Sequence, residues 1–193
     1  RLLGGYLDRA RNHTLDRTLV AEMGALGLIG VDLPEEFGGI GADSVVAGVI
    51  MEEIAYADFN ISYVQLLASL MGGIVAKHAA PEIAREWIPR IVSGERIVAL
   101  ALTEPKGGSD AANLQMRAEK SGGGWRLNGE KTSISCSEQA DAAVVFARSG
   151  NSAGGSHGVS AFFVEMNTKG VTRTIFEDIG TRPVGRGSIF FDD

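Results

Sequence analysis

The chain has 193 residues, of which 45% are hydrophobic and 22% charged, and its formal net charge is -6. That length admits one large domain or two small ones with a substantial core, and the proportions are those of a soluble globular protein. The acidic balance argues against nucleic acid or an anionic membrane as primary partner.

Further classes are excluded by smaller signals. No uninterrupted apolar segment reads as long enough to span a bilayer, so no transmembrane helix is expected. The first residues lack the regions of a signal peptide. The single cysteine, Cys136, forbids an intrachain disulfide and fits a reducing compartment, the bacterial cytoplasm or the mitochondrial matrix. It reads as a small buried residue with no histidine nearby in sequence. His13, His78 and His157 have neither the spacing nor the company of a metal site. The chain starts without Met and ends in a strand-like run, so both ends are expected to be cut.

In chain order, the first half reads helical. Leu15, Leu19, Met23 and Leu26 recur at helical spacing. Residues 31–41 form a polar, glycine-rich loop. Asp43 or Ser44 is placed to cap the next helix, whose apolar positions are Val46, Val49, Ile50, Ile54 and Tyr56. Asp58 and Asn60 interrupt it. The nearly all-apolar residues 61–78 predict a buried helix, and Pro81 starts a short one.

After Arg96 the texture changes to short alternating runs with turn signals between them. Residues 97–102 predict a buried strand, which Pro105 ends near Glu104. Gly107 and Gly108 are then expected to take positive φ and make an anion-binding concavity, with Thr103 and Ser109 as added donors. Residues 114–120 alternate, and Asn128-Gly129 signals a hairpin turn. Strands are expected at 142–148, 160–165, 171–176 and 188–191, with a loose loop at 148–158. The result is an α+β chain: a helical domain at 1–96, then a β-barrel-like domain at 97–193.

The string from Val98 through Thr103-Glu104-Pro105 to Gly108-Ser109-Asp110 resembles the signature of the acyl-CoA dehydrogenase family. Residues 26–41 and 52–58 also resemble that family, so the likeness runs from about residue 15 to the end. It implies an N-terminal helical domain and a middle β domain, with the family's C-terminal four-helix bundle absent from this chain. The implied activity is FAD-dependent conversion of an acyl-CoA thioester to the enoyl-CoA, with hydride transfer to flavin N5. Electrons then pass to an electron-transfer flavoprotein. By the same resemblance Leu100, Leu102, Thr103, Gly108 and Ser109 line the FAD, and Ser109 and Ser156 touch the acyl-CoA. Ser133, Ile134 and Ser135 stand where the family has Trp-Ile-Thr; Ser135 keeps a hydroxyl for flavin N5, while Ser133 removes an aromatic wall.

The family's usual general base lies in the missing bundle, so this chain alone is expected to be inactive. Asp58 is open to two readings, a carboxylate lining the acyl pocket or a helix cap. Arg182 and Arg186 are placed to meet anionic groups or water. A homotetramer is implied at full length. A flavin oxidase of the same fold, and a module that binds a CoA ester or partner without turnover, are the alternatives.

Overall fold

The computed structural model describes residues 2–150 and 156–192. They divide into two compact units, Arg1–Val98 with Glu177–Gly185, and Ala99–Phe176 with Arg186–Asp193. The chain therefore returns to the first unit for one short segment late in the sequence.

In the first unit the helices are α1 (Leu2–Arg9), α2 (Arg17–Ala25), α3 (Ser44–Ala57), α4 (Phe59–Leu67), α5 (Gly73–His78) and α6 (Pro81–Val92). Helix α1 is an addition to the sequence reading; its Gly4-Gly5 pair conceals it, because glycine is a poor helix former. Aspartates start three of the others. Asp16 accepts the N–H groups of Thr18 and Leu19, and Asp43 those of Val45 and Val46. Each satisfies donors that the first turn leaves open. Leu15, Leu19 and Met23 are buried as their spacing predicts, whereas Leu26 caps α2 and is exposed.

Helices α4 and α5 join through a π-helical turn, Ala68–Gly72. Together Phe59–His78 forms 20 residues long and apolar enough, by length and composition, to cross a membrane. The sequence reading excluded such a segment; the helix has it, with 56% of its most apolar window buried within the protein. Burial there is the behaviour of a core helix. A polar chain also ties it to the glycine-rich loop. Gln65 Oε1 accepts the Gly30 N–H at 2.6 Å, Gln65 Nε2 donates to Ser69 Oγ at 2.9 Å, and Ser69 Oγ donates to Asp32 Oδ1 at 2.5 Å.

The strands are β1 (Val98–Ala101), β2 (Arg117–Ser121), β3 (Gly124–Ile134), β4 (Ala142–Arg148), β5 (Val159–Glu165), β6 (Val171–Ile175) and β7 (Gly187–Phe191). They pair in the order β1-β4-β2-β3-β7-β6, with β5 on β4, as a mixed sheet curled into a half-barrel. Strand β4 is buried along most of its length and carries Ala143, Val145 and Ala147 into the core with Met116, Ile134, Met166 and Ile189. The loop expected at 148–158 falls partly outside the described residues.

Asn128-Gly129 is not the hairpin turn. The turn between β2 and β3 is made at Gly122 and Gly123, both at positive φ, as a two-residue loop requires. Asn128-Gly129 lies inside β3, at the point where the strand changes partner. Residues up to Asn128 pair with β2, and from Gly129 onward they pair with β7. A Cβ on Gly129 would sit 3.0 Å from Met116 Cγ, so glycine here serves a tight corner of the curled sheet.

Candidate functional site

Two stretches singled out in the sequence, 100–109 and 133–135, meet in the second unit. Between Lys131 and Ile134 the register of β3 against β7 slips by one residue, a bulge in which Ser133 takes a φ of 58°. A bulge releases a backbone group from the ladder and re-aims the side chains beside it. The released Thr132 N–H donates to Thr103 C=O at 2.9 Å, which binds the end of the β1 segment to β3.

A buried ion pair reinforces this join. Lys131, fully buried in β3, donates from Nζ to Glu104 Oε1 at 2.8 Å and to Leu102 C=O at 3.0 Å. The Glu104 carboxylate also accepts the N–H groups of Gln115 at 2.7 Å and Met116 at 2.9 Å. Burial by itself pushes the Glu104 carboxyl up. The Lys131 ammonium and the two amides outweigh that, and hold it below its ordinary value. Burial pushes Lys131 down, and Glu104 recovers only part of the loss. Both residues lie in the stretches that the sequence marks, but nothing in the sequence pairs them. The only hint there was a Glu inside the motif and a Lys just before the Ser-Ile-Ser run.

Gly107 and Gly108 do not take positive φ. Glu104 and Gly107 exchange both backbone hydrogen bonds, at 3.0 and 3.1 Å, around Pro105-Lys106. Pro105 sets the first corner of that turn without needing a left-handed residue. Gly108 is required instead by closeness, since a Cβ there would lie 3.2 Å from Thr103 Cγ2.

Among the described residues, the hydroxyls of Thr103, Ser109 and Ser135 make no hydrogen bond, nor do the N–H groups of Gly108 and Ser109. Thr103 and Ser135 are half-buried and Ser109 is exposed. An isoalloxazine edge and a pyrophosphate need such donors, backed by a glycine that lets them approach. The residues present therefore fit a flavin dinucleotide. Leu100 and Leu102 are half-buried on the same strand segment. Ile134 is placed otherwise: its side chain is 2% exposed and belongs to the hydrophobic core. Ser156 is exposed in the short 3-10 turn Ser156–Gly158, which packs beside the turn Ala111–Asn113 that follows Ser109. Arg148 secures that second turn, donating to Ala112 C=O at 2.7 Å and Leu114 C=O at 3.0 Å. A separate open cleft of about 220 Å³ is lined by Glu104, Pro105, Met116 and Gly129 among others, and contains none of the expected flavin residues.

Asp58 belongs to the first unit, and its carboxylate is committed there. Oδ1 accepts the N–H groups of Asn60 and Ile61 as the cap of α4, and Oδ2 accepts Arg9 Nε at 2.7 Å. It is 1% exposed. Of its two readings, the geometry supplies the cap. Asp58→Asn keeps a capping oxygen, so turnover in the protein at its relatives' length is expected to stay within about twofold. Loss of a general base costs about a hundredfold or more, and a steady-state assay separates the two.

The family model for the acyl-CoA dehydrogenase N-terminal domain matches residues 5–95, and that for the acyl-CoA dehydrogenase middle domain matches residues 99–193. Acyl-CoA dehydrogenase FadE12 of Mycobacterium tuberculosis is 35% identical over 188 residues, covering 97% of this chain and 48% of that protein. A glutaryl-CoA dehydrogenase from Mycobacterium smegmatis, solved in complex with FADH2, superposes with a TM-score of 0.90 at 27% identity, covering 100% of this chain and 49% of that one. A structure described as the electron transferring flavoprotein of Acidaminococcus fermentans gives a TM-score of 0.91 at 30% identity, covering 99% and 50%. The chain thus spans about half the length of the relatives it matches. It belongs to the acyl-CoA dehydrogenase family, and its two halves are that family's N-terminal and middle domains.

Proposed function

We propose that this chain is the FAD-holding part of an enzyme that converts an acyl-CoA thioester to its α,β-enoyl-CoA. The observation that carries the reading is the join of Thr103 to Thr132, which holds the segment bearing the unpartnered Thr103 hydroxyl against the strand that leads to the unpartnered Ser135 hydroxyl. When bound, FAD supplies the acceptor for the β-hydrogen, which leaves the substrate as hydride. Thr103 and Ser135 orient the ring edge through their hydroxyls. Gly108 and Ser109 present N–H groups to the pyrophosphate, and Leu100 and Leu102 give the ring an apolar backing. Ile134 acts through its backbone alone. Ser109 and Ser156 contact the CoA ester from neighbouring turns. A carboxylate takes the α-proton, and the capping and Arg9 bonds of Asp58 favour its reading as a cap over that role.

Electrons leave for an electron-transfer flavoprotein, a reading supported by the likeness to the Acidaminococcus structure. A homotetramer in a reducing compartment completes the proposal. Exposed Ser133, where the family resemblance expects an indole, favours one second reading, a flavin oxidase whose ring edge is open to oxygen. Mixing the substrate-reduced protein with aerated buffer separates them. Reoxidation over minutes supports the dehydrogenase, and reoxidation within the turnover time supports the oxidase.

Thr103→Val and Ser135→Ala each remove one hydrogen bond, worth about 0.5–1.5 kcal/mol. Each is expected to weaken FAD retention by about 2- to 10-fold in titrations of the flavin-stripped protein. Unchanged affinity in both variants would contradict the assignment of these hydroxyls.

A further inference from the structure

Ser133 stands beside a charge that the function above does not use. The bulge in β3 leaves its side chain exposed, and its Oγ accepts a hydrogen bond from Arg186 Nη1 at 3.3 Å. Arg186 is held from two further directions. Its guanidinium lies over the Phe176 ring, 5.4 Å from the centroid, and its carbonyl accepts the Phe176 N–H at 2.7 Å. In the antiparallel ladder Ile134 pairs with Gly187, so the next position places Arg186 across from Ser135. One guanidinium is therefore tied to Ser133 and set opposite Ser135, the two serines that border the proposed flavin edge.

We infer that Arg186 supplies a fixed positive charge at this edge and thereby favours the reduced form of the flavin. The inference rests on the flavin reading above. Two-electron reduction adds negative charge to the ring system, and charge beside the ring is one of the levers by which a protein tunes it. A guanidinium is always protonated, so the effect is present at every working pH. Arg186 is exposed, and the Phe176 face covers one side of its guanidinium, so water screens the charge from the remaining sides only. A pre-placed charge also needs no reorganisation when the ring is reduced.

The test is the midpoint potential of the flavin in the protein at its relatives' length, measured by equilibration with a reference dye. Arg186→Met is expected to move the potential to more negative values. Arg186→Lys keeps the charge and is expected to stay nearer the unsubstituted protein. Ser133→Ala removes only the tether and is expected to fall between them, and it carries the test if Arg186→Met fails to load flavin. Equal shifts in the Lys and Met variants, or a potential indifferent to all three, would overturn the inference and leave the flavin reading intact. An unsubstituted protein that takes up no flavin would overturn that reading and this inference together.

Discussion

Glu104→Leu is expected to destabilise the second unit by about 3–5 kcal/mol, the cost of leaving a buried charge without its partner. Lys131 is fully buried, and among the described residues Glu104 is the only charged partner of its ammonium. The same substitution strands the amides of Gln115 and Met116, which the carboxylate accepts. Lys131→Met costs less, because Glu104 keeps both amides. The pair Glu104→Gln with Lys131→Met recovers part of the loss, since a buried ion pair is often replaceable as a unit. Urea unfolding followed by tryptophan fluorescence measures these and the single Glu104→Gln variant, and additive losses for Glu104→Gln and Lys131→Met would contradict the coupling.

The pH dependence follows from the direction of the Glu104 shift. Its folded value lies below its ordinary value of 4.5, so the unfolded chain binds the proton more readily. The stabilisation is fully present above that ordinary value and is lost as pH falls through the lower folded value. The stability gap between the unsubstituted protein and Glu104→Gln should therefore close in acid. A gap independent of pH would show that the carboxylate is not charged in the folded protein.

Gly187→Ala carries the second large effect. A Cβ on Gly187 would lie 1.8 Å from Thr174 C=O and 2.6 Å from Ser137 Oγ, with the carbonyl fixed in the β6–β7 ladder. Ordinary overpacking costs about 1–3 kcal/mol when side chains can shift. Here the obstruction is backbone, so the loss is expected to reach about 3 kcal/mol or more. The damage is local to the site, because Gly187 also pairs with Ile134, one residue from Ser135. Reduced FAD retention should accompany the fall in stability. A variant as stable as the parent would contradict the close approach of Gly187 to the Thr174 carbonyl.

What the sequence reveals and what it hides divide along the range of the forces involved. Asp43 is legible as a cap because the bonds it makes reach only two and three residues onward. Thr103-Glu104-Pro105 and Gly108-Ser109 are legible because the strand end and turn are local. The join between them and residues 133–135 is not legible. It depends on a bulge that forms only when β3 pairs with β7, whose residues lie some 50 positions away. Glu104 and Lys131 are 27 residues apart, and no local pattern pairs them. Asn128-Gly129 misleads for the same reason. As a dipeptide it favours a hairpin, but Gly122 and Gly123 already make that turn, and Gly129 is used where β3 passes from one neighbour to the next. Ile134 follows the usual alternation once the bulge is counted, and so points into the core.

The central claim is that the joined segments 100–109 and 133–135 hold FAD for acyl-CoA dehydrogenation. Its most direct test is an absorbance spectrum of the protein at its relatives' length, followed by anaerobic titration with a panel of acyl-CoA esters. Flavin bands that bleach with at least one ester, and that are lost in Glu104→Leu, are the predicted result. A protein with no flavin bands even after FAD is added would contradict the account.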